Sequence, residues 1–573
     1  MQFKIDRKIF ATWPDQQIRQ LINQALKELK LPAVDFIVEH PVDENHGDYS
    51  SNIALQLFSK LSKFKNPREL AKKITDYCLQ ITDYDFVDKI EIAGPGFLNF
   101  HLKREWLLKQ LNQALKQADQ YGRNQSLKAK KVMVEFTDPN PFKEFHIGHL
   151  YSNAVGESLA RLFEAIGAQV KRANYQGDVG MHVAKSIWGM KKKLKILAGK
   201  SLTERVKFMG QAYAAGATAY QEDQSAKKEI EALNKQIYEQ DPAIQELYQT
   251  GRQWSLDYFE TIYKRLGTKF DEYFFESEAG EYGLKIVQEY LKKGVFAKSK
   301  GAVIFEGEKR GLHTRVFINS LGLPTYEAKD LGLAVAKYQR FKYDYSFNVT
   351  GNEINAYFQV VLAALKQINP ELWQKTRHVG HGMVRLPEGK MSSRTGKVLT
   401  GEWLIDEAKA KIKKTYPDVS EKTAEMVAIG AIKYALLKAG LGRDVIFSFK
   451  ESISLQGNSG PYLQYTYARC RSVLQKTKIT DYRLPITDYS ANSEELAILR
   501  WFYRYPETVL AAAQELAPNQ IANYLYELAQ RFNTFYNNHR IVGSDFRLTL
   551  TAAIAQILEN GLYLLGIKAP EKM

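Results

Sequence analysis

In 573 residues, 45% hydrophobic and 25% charged, the chain has enough apolar material for more than one core. It contains no run of about 18 apolar residues, so we expect no membrane span, and its first residues lack the apolar stretch of a signal peptide. The net charge of +16 indicates a polyanionic partner such as nucleic acid, although a solvated basic surface would give the same count.

The N-terminal part, residues 1–122, is predicted to be an α+β module. Apolar residues recur at helical spacing in 16–26 and 51–62, whereas residues 87–93 alternate apolar and polar side chains as a half-buried strand does. Gly94, Pro95 and Gly96 then break the pattern, which indicates a turn before a second strand. A helix is expected over residues 104–120.

The central part begins with a pattern that predicts a βαβ unit. A buried strand is expected at 131–136, a helix from Leu150 to Ile166 that ends at Gly167, and a second strand at 169–175. Residues 188–293 are mostly helical in pattern and rich in lysine, which predicts a helical insertion. Strand patterns return at 302–305, 316–318 and 345–349, and the pattern is helical again from about residue 450.

Two histidines, His146 and His149, lie at the predicted strand-to-helix junction. Zinc on a helix prefers ligands four residues apart with further ligands nearby, and neither feature is present. The chain also has only Cys78 and Cys470, which excludes a cysteine zinc site and fits a reducing cytoplasm. Phosphate binding at a helix start remains, with Gly148 permitting close approach; two ordinary surface histidines are the alternative.

A second stretch, LPEGKMSSRTGK at residues 386–397, combines two glycines with cationic and hydroxyl side chains. Such a loop can close over a polyphosphate, although a flexible basic surface loop would have the same composition.

Together, His146-Ile147-Gly148-His149 and Lys390-Met391-Ser392-Ser393-Arg394 resemble the signature pair of class I aminoacyl-tRNA synthetases. Other stretches narrow the resemblance to arginyl-tRNA synthetases, and it extends over nearly the whole chain. These are PNPFK (139–143), ANYQGDVG (173–180), TYEAKD (325–330), GPYLQY (460–465), HGDYSSN (46–52), NPRELA (66–71) and the ending GLYLLGIKAPEKM.

The resemblance implies an α/β fold in three parts. A Rossmann-like parallel-sheet catalytic domain would occupy residues 123–450, with the helical insertion at about 188–293. An α+β tRNA-contacting domain would precede it at 1–122, and an all-α anticodon-binding domain would follow at 451–573.

The resemblance also implies an activity, arginine–tRNA ligase. ATP would convert arginine to arginyl-adenylate, and the arginyl group would pass to the 3′ end of arginine tRNA. ATP would be a substrate with Mg²⁺ bound to it, and no protein-bound zinc is expected. A cytoplasmic monomer without a membrane partner is the expectation.

Roles for individual residues follow from the same resemblance. The catalytic residues would be Lys143, His146, His149 and Lys390. ATP would be bound by His146, His149 and Lys390 together with Pro139, Gly148, Met383, Met391 and Ser392. Arginine would be bound by Glu135, Asn140, Tyr326, Asp330 and Asp178.

One departure from the family pattern gives Lys143 its proposed role. Ser393 stands where the usual loop carries a second lysine, and Lys143 resembles the residue that replaces it in many arginyl enzymes. It is expected to neutralise the leaving pyrophosphate, although a solvated loop lysine is the alternative. Lys329, beside Asp330, is expected to point away from the pocket.

Three alternatives remain open at this point. The chain could be a class I synthetase for another amino acid such as lysine, or a catalytically silent tRNA-binding relative. The aromatic residues of 523–538 have the helical spacing of core residues, but some of them could instead stack on anticodon bases.

Overall fold

The computed structural model describes residues 13–61, 63–81, 84–191, 199–386, 399–477 and 489–573. The chain forms two compact units. The first is Met1–Ser126, Cys470–Thr508 and Glu527–Leu558, and the second is Leu127–Arg469, Val509–Tyr526 and Glu559–Met573. Among the described helices, none combines the length and the apolar character needed to cross a membrane.

The N-terminal part of the first unit is an antiparallel sheet with helices, which confirms the predicted α+β module. The strands, in sheet order β1-β2-β4-β3, are β1 (Val38–Glu39), β2 (Tyr49–Ser51), β3 (Val87–Ala93) and β4 (Phe97–Leu102). The helices are α1 (Pro14–Glu28), α2 (Ile53–Phe58), α3 (Pro67–Cys78) and α4 (Arg104–Gln117).

Two details of this module bear on the predictions. The turn expected at 94–96 is confirmed, and Gly94 and Gly96 there have φ angles of 49° and 138°, which favour glycine. Asp48, in the HGDYSSN stretch, is fully buried and accepts hydrogen bonds from the Leu102 backbone, from Arg500 and from the Tyr503 hydroxyl. Its carboxylate is therefore used inside the first unit.

The second unit is built on a five-stranded parallel sheet with helices on both faces and a small antiparallel sheet beside it. Its strands are β5 (Lys131–Glu135), β6 (Gln169–Gln176), β7 (Glu272–Phe275), β8 (Ala297–Ser299), β9 (Ala302–Phe305), β10 (Arg315–Ile318), β11 (Tyr345–Gly351), β12 (Thr376–His381), β13 (Val384–Arg385) and β14 (Val445–Ile446). The helices that accompany them are α5 (Ile147–Ala165), α6 (Met181–Lys191), α7 (Leu202–Glu222), α8 (Gln224–Tyr238), α9 (Pro242–Leu266), α10 (Glu276–Lys292), α11 (Tyr326–Arg340), α12 (Asn355–Ile368), α13 (Pro370–Lys375), α14 (Gly401–Thr415), α15 (Glu421–Leu437) and α16 (Phe449–Ser452).

The order of the parallel sheet, β12-β11-β5-β6-β7, indicates the edge of the sheet at which a ligand crevice is expected. From the central β5 the chain moves to β6 and β7 on one side, and only later to β11 and β12 on the other. In open parallel sheets the ligand crevice lies at the carboxyl ends of the strands, at this reversal. The predicted βαβ unit is confirmed as β5-α5-β6, and it lies at this position.

One element of the central region was predicted wrongly. Residues 272–275 fall inside the stretch expected to be helical, but they form β7 and pair in parallel with β6. The strand has only four residues and lies directly between two long helices, so hydrophobic periodicity over a longer window is dominated by the helices.

The C-terminal part is helical, as predicted. Its helices are α17 (Gly460–Gln475), α18 (Ser493–Gln514), α19 (Pro518–Asn538) and α20 (Asp545–Leu564). Tyr524, Phe532 and Phe535 of α19 are buried, so the core assignment is confirmed for these three aromatic residues.

The last residues of the second unit, 563–568, are held through their backbone carbonyl oxygens, and we call them the C-terminal strap. The donors are side chains of α5, α15 and α17. Arg161 bonds Tyr563 O at 2.8 Å, Ser158 bonds Leu564 O at 2.8 Å, Lys433 bonds Gly566 O at 2.8 Å, and Gln464 bonds Lys568 O at 2.8 Å.

Candidate active site

The connection between β5 and α5 has an unusual backbone. Thr137, Asp138 and Phe142 have φ angles of 80°, 45° and 67°, a region that residues with side chains rarely adopt. Hydrogen bonds hold this conformation: Ser152 Oγ accepts from the Thr137 N–H at 2.9 Å, and Ser255 Oγ accepts from the Phe142 N–H at 2.9 Å. Such strain persists where the surroundings over-determine it, which is typical of binding sites.

His146 and His149 stand together at the N-terminus of α5. Their ring centroids are 3.4 Å apart with planes 21° from parallel, and the His146 backbone N–H donates to His149 Nδ1 at 3.1 Å. Because Nδ1 of His149 is an acceptor, the proton of the neutral ring lies on Nε2, where it can be donated to a ligand.

Both histidines are neutral at physiological pH. Desolvation by the surrounding protein lowers the pKa of His146, although this residue is exposed, to about 4. Burial lowers the pKa of His149 well below its ordinary value, and the positive charge of Lys143 lowers both pKa values further. The helix N-terminus therefore presents ring N–H donors suited to an anion, whereas the backbone N–H groups of His146, Ile147 and His149 already donate within the protein.

The absence of a side chain at Gly148 is needed for packing as well as for the approach of a ligand. A Cβ at this position would lie 3.1 Å from Cε1 and Nδ1 of the His146 ring. The missing side chain therefore makes room for the stacked histidine ring.

Lys143 lies beside the histidines without a carboxylate partner. Its Nζ is 5.3 Å from the ring centroid of Tyr213, and no carboxylate of the described residues lies within ion-pair distance. Burial lowers its pKa, and its charge also contributes to lowering the pKa of His182 to about 3. An unpaired cation that faces three histidines differs from a solvated loop lysine and is suited to an anionic ligand.

Two buried acids of the site have lysine partners. Glu135 binds Lys337 Nζ at 2.6 Å and also accepts from Asn348 at 3.1 Å, so both of its oxygens are engaged. Glu276, at the start of α10, binds Lys329 Nζ at 2.7 Å. We call Glu135, Glu276 and Asp330 the acidic cluster. Lys329 is buried beside it, and the expectation that this lysine points away from the pocket was wrong.

Within the described residues, Asp330 forms no ion pair with a lysine or an arginine. The only side-chain hydrogen bond to it within the described residues comes from the Tyr357 hydroxyl, at 2.6 Å. Burial raises the pKa of Asp330 to about 7, and the nearby carboxyl groups of Glu135 and Glu276 act in the same direction. Tyr326, one helical turn earlier on α11, is 59% exposed and lies at the rim. The two side chains thus lie one helical turn apart on α11, with Asp330 at the more buried end and Tyr326 exposed.

Asn140 and Glu276 meet at Gly177, just after β6. A Cβ on Gly177 would collide with Asn140 Oδ1 and with Glu276 Oε1. The glycine thus permits the strained junction and the start of α10 to approach each other, and Asn140 lies next to the acidic cluster.

Asp178 is already saturated with hydrogen bonds. It is buried and accepts from Arg252 Nε at 3.1 Å, from the Tyr248 hydroxyl at 3.2 Å, and from the backbone N–H and hydroxyl of Ser277. These contacts tie α9 to the start of α10, so the structure favours a structural role over a contact with substrate.

The structure describes only some of the residues that were predicted to bind ATP. Met383 donates its backbone N–H to Asp444 at 2.9 Å and accepts from the Val445 N–H at 2.7 Å, while its side chain is 40% exposed. The side chain and the second lone pair of the carbonyl oxygen therefore remain available to a nucleotide. Pro139 is buried in the strained junction. Lys390, Met391, Ser392, Ser393 and Arg394 lie outside the described residues.

Sequence reasoning missed four side chains of this site. They are His182, Lys337, Tyr357 and Tyr175. His182 shares its helix start with the ANYQGDVG stretch, which was the only available signal. Lys337 and Tyr357 follow Glu135 by about two hundred residues, and no local pattern connects them with it.

Comparisons with known proteins agree with this geometry. The model of the family described as tRNA synthetases class I (R), catalytic domain, matches residues 110–449, more than half of the chain. The models for the DALR anticodon binding domain and the arginyl tRNA synthetase N terminal domain match residues 463–573 and 16–102.

Individual proteins and structures show the same similarity over the full length. The arginine–tRNA ligase of Treponema denticola is 32% identical over 568 residues, which cover 94% of each chain. That of Borreliella afzelii is 30% identical and covers 96% of each chain. The arginyl-tRNA synthetase structure from Thermus thermophilus has a TM-score of 0.79 at 26% identity and covers 98% of this chain and 100% of its own. The chain therefore belongs to the arginyl-tRNA synthetase family of class I aminoacyl-tRNA synthetases.

Proposed function

We propose that this chain is an arginine–tRNA ligase. The carboxylate of arginine attacks the α-phosphate of ATP and releases pyrophosphate, and the terminal hydroxyl of the tRNA then displaces AMP from the adenylate. One observation carries the proposal: a single sheet edge brings unpaired donors suited to phosphate next to an acid that lacks a cation. The lysine alternative loses its support because the matched relatives are arginine enzymes.

The phosphate half of the site is the start of α5. His149 Nε2 and the His146 ring would donate to the phosphates, and Lys143 would add positive charge where pyrophosphate leaves. These groups are already oriented, so little reorganisation accompanies the charge that develops on the transferring phosphoryl group. A catalytically silent protein would have no need of a desolvated cation beside two neutral histidines.

The arginine half is the acidic cluster. Asp330 would bind the guanidinium, with Tyr326 over the rim, and Asn140 with Glu276 would lie near the α-amino group. Glu135 was expected to bind arginine directly. Because both of its oxygens are engaged by Lys337 and Asn348, it is better suited to positioning its neighbours.

Magnesium enters the proposal with ATP. Mg²⁺ shields the polyphosphate and neutralises charge on it. Glu135 and Glu276 are paired with lysines, and the described residues contain no group of three or more His, Cys, Asp or Glu that could hold a metal. This chain therefore fits a cation carried by the nucleotide better than a resident one.

The other partners are proposed on similar grounds. Arginine tRNA would be bound by the C-terminal helices, which match the anticodon-binding family, and by the N-terminal domain. Cys78 and Cys470 are both buried free thiols, which suits a reducing cytoplasm. We retain a monomer as the working state.

The test is arginine-dependent exchange of pyrophosphate into ATP, measured with and without arginine tRNA. We expect exchange with arginine when the tRNA is present, and none with lysine. An absence of exchange under both conditions would contradict the ligase assignment. Rapid exchange without tRNA would agree with the ligase assignment but would contradict the expectation that activation depends on tRNA.

A further inference from the structure

A tyrosine hydroxyl near the end of β6 has no hydrogen-bond partner although it is buried. The oxygen atom of Tyr175 is shielded from solvent, and within the described residues no donor or acceptor reaches it. Its ring is held firmly, because it packs against the hydrophobic cluster that includes Phe274, Ala328 and Leu331. A buried polar atom without a partner costs stability, and native proteins retain few of them.

The strand register places this hydroxyl on the pocket side of the sheet. Glu135 of β5 lies opposite Ala173 of β6 and opposite Asn348 of β11, and the Glu135 and Asn348 side chains are bonded to each other. Side chains alternate along a strand, so Tyr175, two residues after Ala173, stands on the same face. It lies closer to the carboxyl edge than Glu135.

The surroundings of the hydroxyl are acidic. Burial raises the pKa of Tyr175 well above its ordinary value, and the carboxyl groups of Glu276 and Asp330 add to the effect, so the hydroxyl stays protonated. Glu276 is neutralised by Lys329, whereas Asp330 has no cation. Two hydrogen-bonding groups in this part of the pocket are thus left incomplete, the Asp330 carboxylate and the Tyr175 hydroxyl.

We propose that the Tyr175 hydroxyl binds the guanidinium group of arginine, beside Asp330. This inference rests on the proposed function. A guanidinium offers five N–H donors and no acceptor, so a carboxylate alone leaves donors over for a neutral oxygen. The phenol oxygen accepts one of them without adding charge. Lysine, with a compact ammonium on a flexible stem, cannot span both acceptors as a rigid fork does, so Tyr175 also favours arginine over lysine.

The test is Tyr175→Phe, which removes only the oxygen atom. In exchange assays with tRNA, we expect the KM for arginine to rise about 10- to 100-fold, the range for losing a hydrogen bond to a charged group. The kcat and the KM for ATP stay within about twofold of the wild type, since the variant leaves the phosphate half intact. The preference for arginine over lysine falls.

The stability of the variant separates binding from a structural role. Because no described residue hydrogen-bonds to the hydroxyl in the free protein, Tyr175→Phe should melt at the wild-type temperature or above it. The control is Tyr290→Phe, whose hydroxyl donates to Ile368 O at 3.0 Å. That variant should melt lower and keep the wild-type KM for arginine.

Butylguanidine, which keeps the guanidinium and lacks the amino and carboxyl groups, locates the contact. Its inhibition constant against arginine should rise in Tyr175→Phe by the same factor as the KM. An unchanged inhibition constant, a wild-type KM for arginine, or a lower melting temperature with kcat and both KM values impaired together would each overturn the inference. A wild-type protein without exchange activity would instead refute the proposed function.

Discussion

The C-terminal strap and the proposed arginine pocket around Asp330 and Tyr175 belong to the same compact unit, but they use polar groups in opposite ways. In the strap, four side chains each donate to a backbone carbonyl, and Arg161 also binds Glu157 at 2.7 Å and lies over the Tyr563 ring. In the pocket, the Tyr175 hydroxyl has no partner and Asp330 has no cation within the described residues.

The difference separates what holds this fold from what binds its substrates. A satisfied polar network repays the cost of removing its groups from water, so it contributes stability. An incomplete network costs stability, and it persists where a ligand completes it. Substitutions in the strap should therefore reduce stability, whereas substitutions in the pocket should reduce activity without unfolding the protein.

The largest effect is expected from Lys143→Ala, on the phosphate side of the pocket. Removing the charge that is proposed to face the leaving pyrophosphate should lower kcat by about 10²- to 10³-fold. Arginine affinity should change far less, and the melting temperature little, because no carboxylate of the described residues forms an ion pair with this lysine. Steady-state exchange kinetics measure both parameters.

The matched control is Lys227→Ala, which removes another lysine that lies over a tyrosine ring, here Tyr220, within the helical insertion. It should leave kcat unchanged. Equal losses of kcat and of arginine affinity in Lys143→Ala would remove the role of this lysine in the reaction.

The next effect concerns the strap. Arg161→Met keeps most of the side-chain bulk but removes the donors to Glu157, Tyr563 O and Gly267 O. We expect a loss of about 2–4 kcal/mol in the free energy of unfolding, since charged hydrogen bonds are lost while Glu157 keeps Arg172 as its partner. Urea unfolding measures this loss.

Lys171→Met serves as the control for the strap. It breaks a more exposed ion pair with Glu272 at 3.8 Å, which should cost no more than about 1 kcal/mol. If Arg161→Met had wild-type stability, the strap would not hold the fold.

A smaller effect follows from the raised pKa of Asp330, about 7. The group is surrounded by Glu135, Glu276, Lys337 and Tyr357. Below pH 7 the carboxyl is protonated and loses its attraction for guanidinium, so kcat/KM for arginine should fall about tenfold per pH unit below 7. The histidines do not produce this limb, because the pKa of His146 is already lowered to about 4.

The contribution of Asp330 to the free energy of unfolding changes with pH in the opposite direction from kcat/KM. The folded protein binds a proton more tightly at Asp330 than the unfolded chain does, so this group makes the free energy of unfolding fall as pH rises from the ordinary carboxyl range to 7. If kcat/KM of the Asp330→Asn variant still fell below pH 7, the pH dependence would come from a group other than Asp330.

Sequence analysis predicted the elements that local patterns determine. The β5-α5-β6 unit and the position of His146 and His149 follow from apolar periodicity and glycine placement over some forty residues. The pairing of Glu135 with Lys337, in contrast, depends on packing between α11 and the sheet, which no local pattern encodes. Lys329 was misplaced for the same reason: its partner, Glu276, is on another helix.

The central claim is that the guanidinium of arginine is bound by Asp330, which has no lysine partner within the described residues. Glu135 and Glu276, which each have a lysine partner, do not bind it. Calorimetric titration of arginine, with tRNA present, compares Asp330→Asn with Glu135→Gln. Asp330→Asn should weaken arginine binding by about 100-fold or more and leave the protein at least as stable, since it removes a buried carboxylate that forms no ion pair within the described residues. Glu135→Gln should cost about 3 kcal/mol of stability, because it leaves Lys337 without its carboxylate. An unchanged arginine affinity in Asp330→Asn, or a greater loss of affinity in Glu135→Gln, would contradict the account.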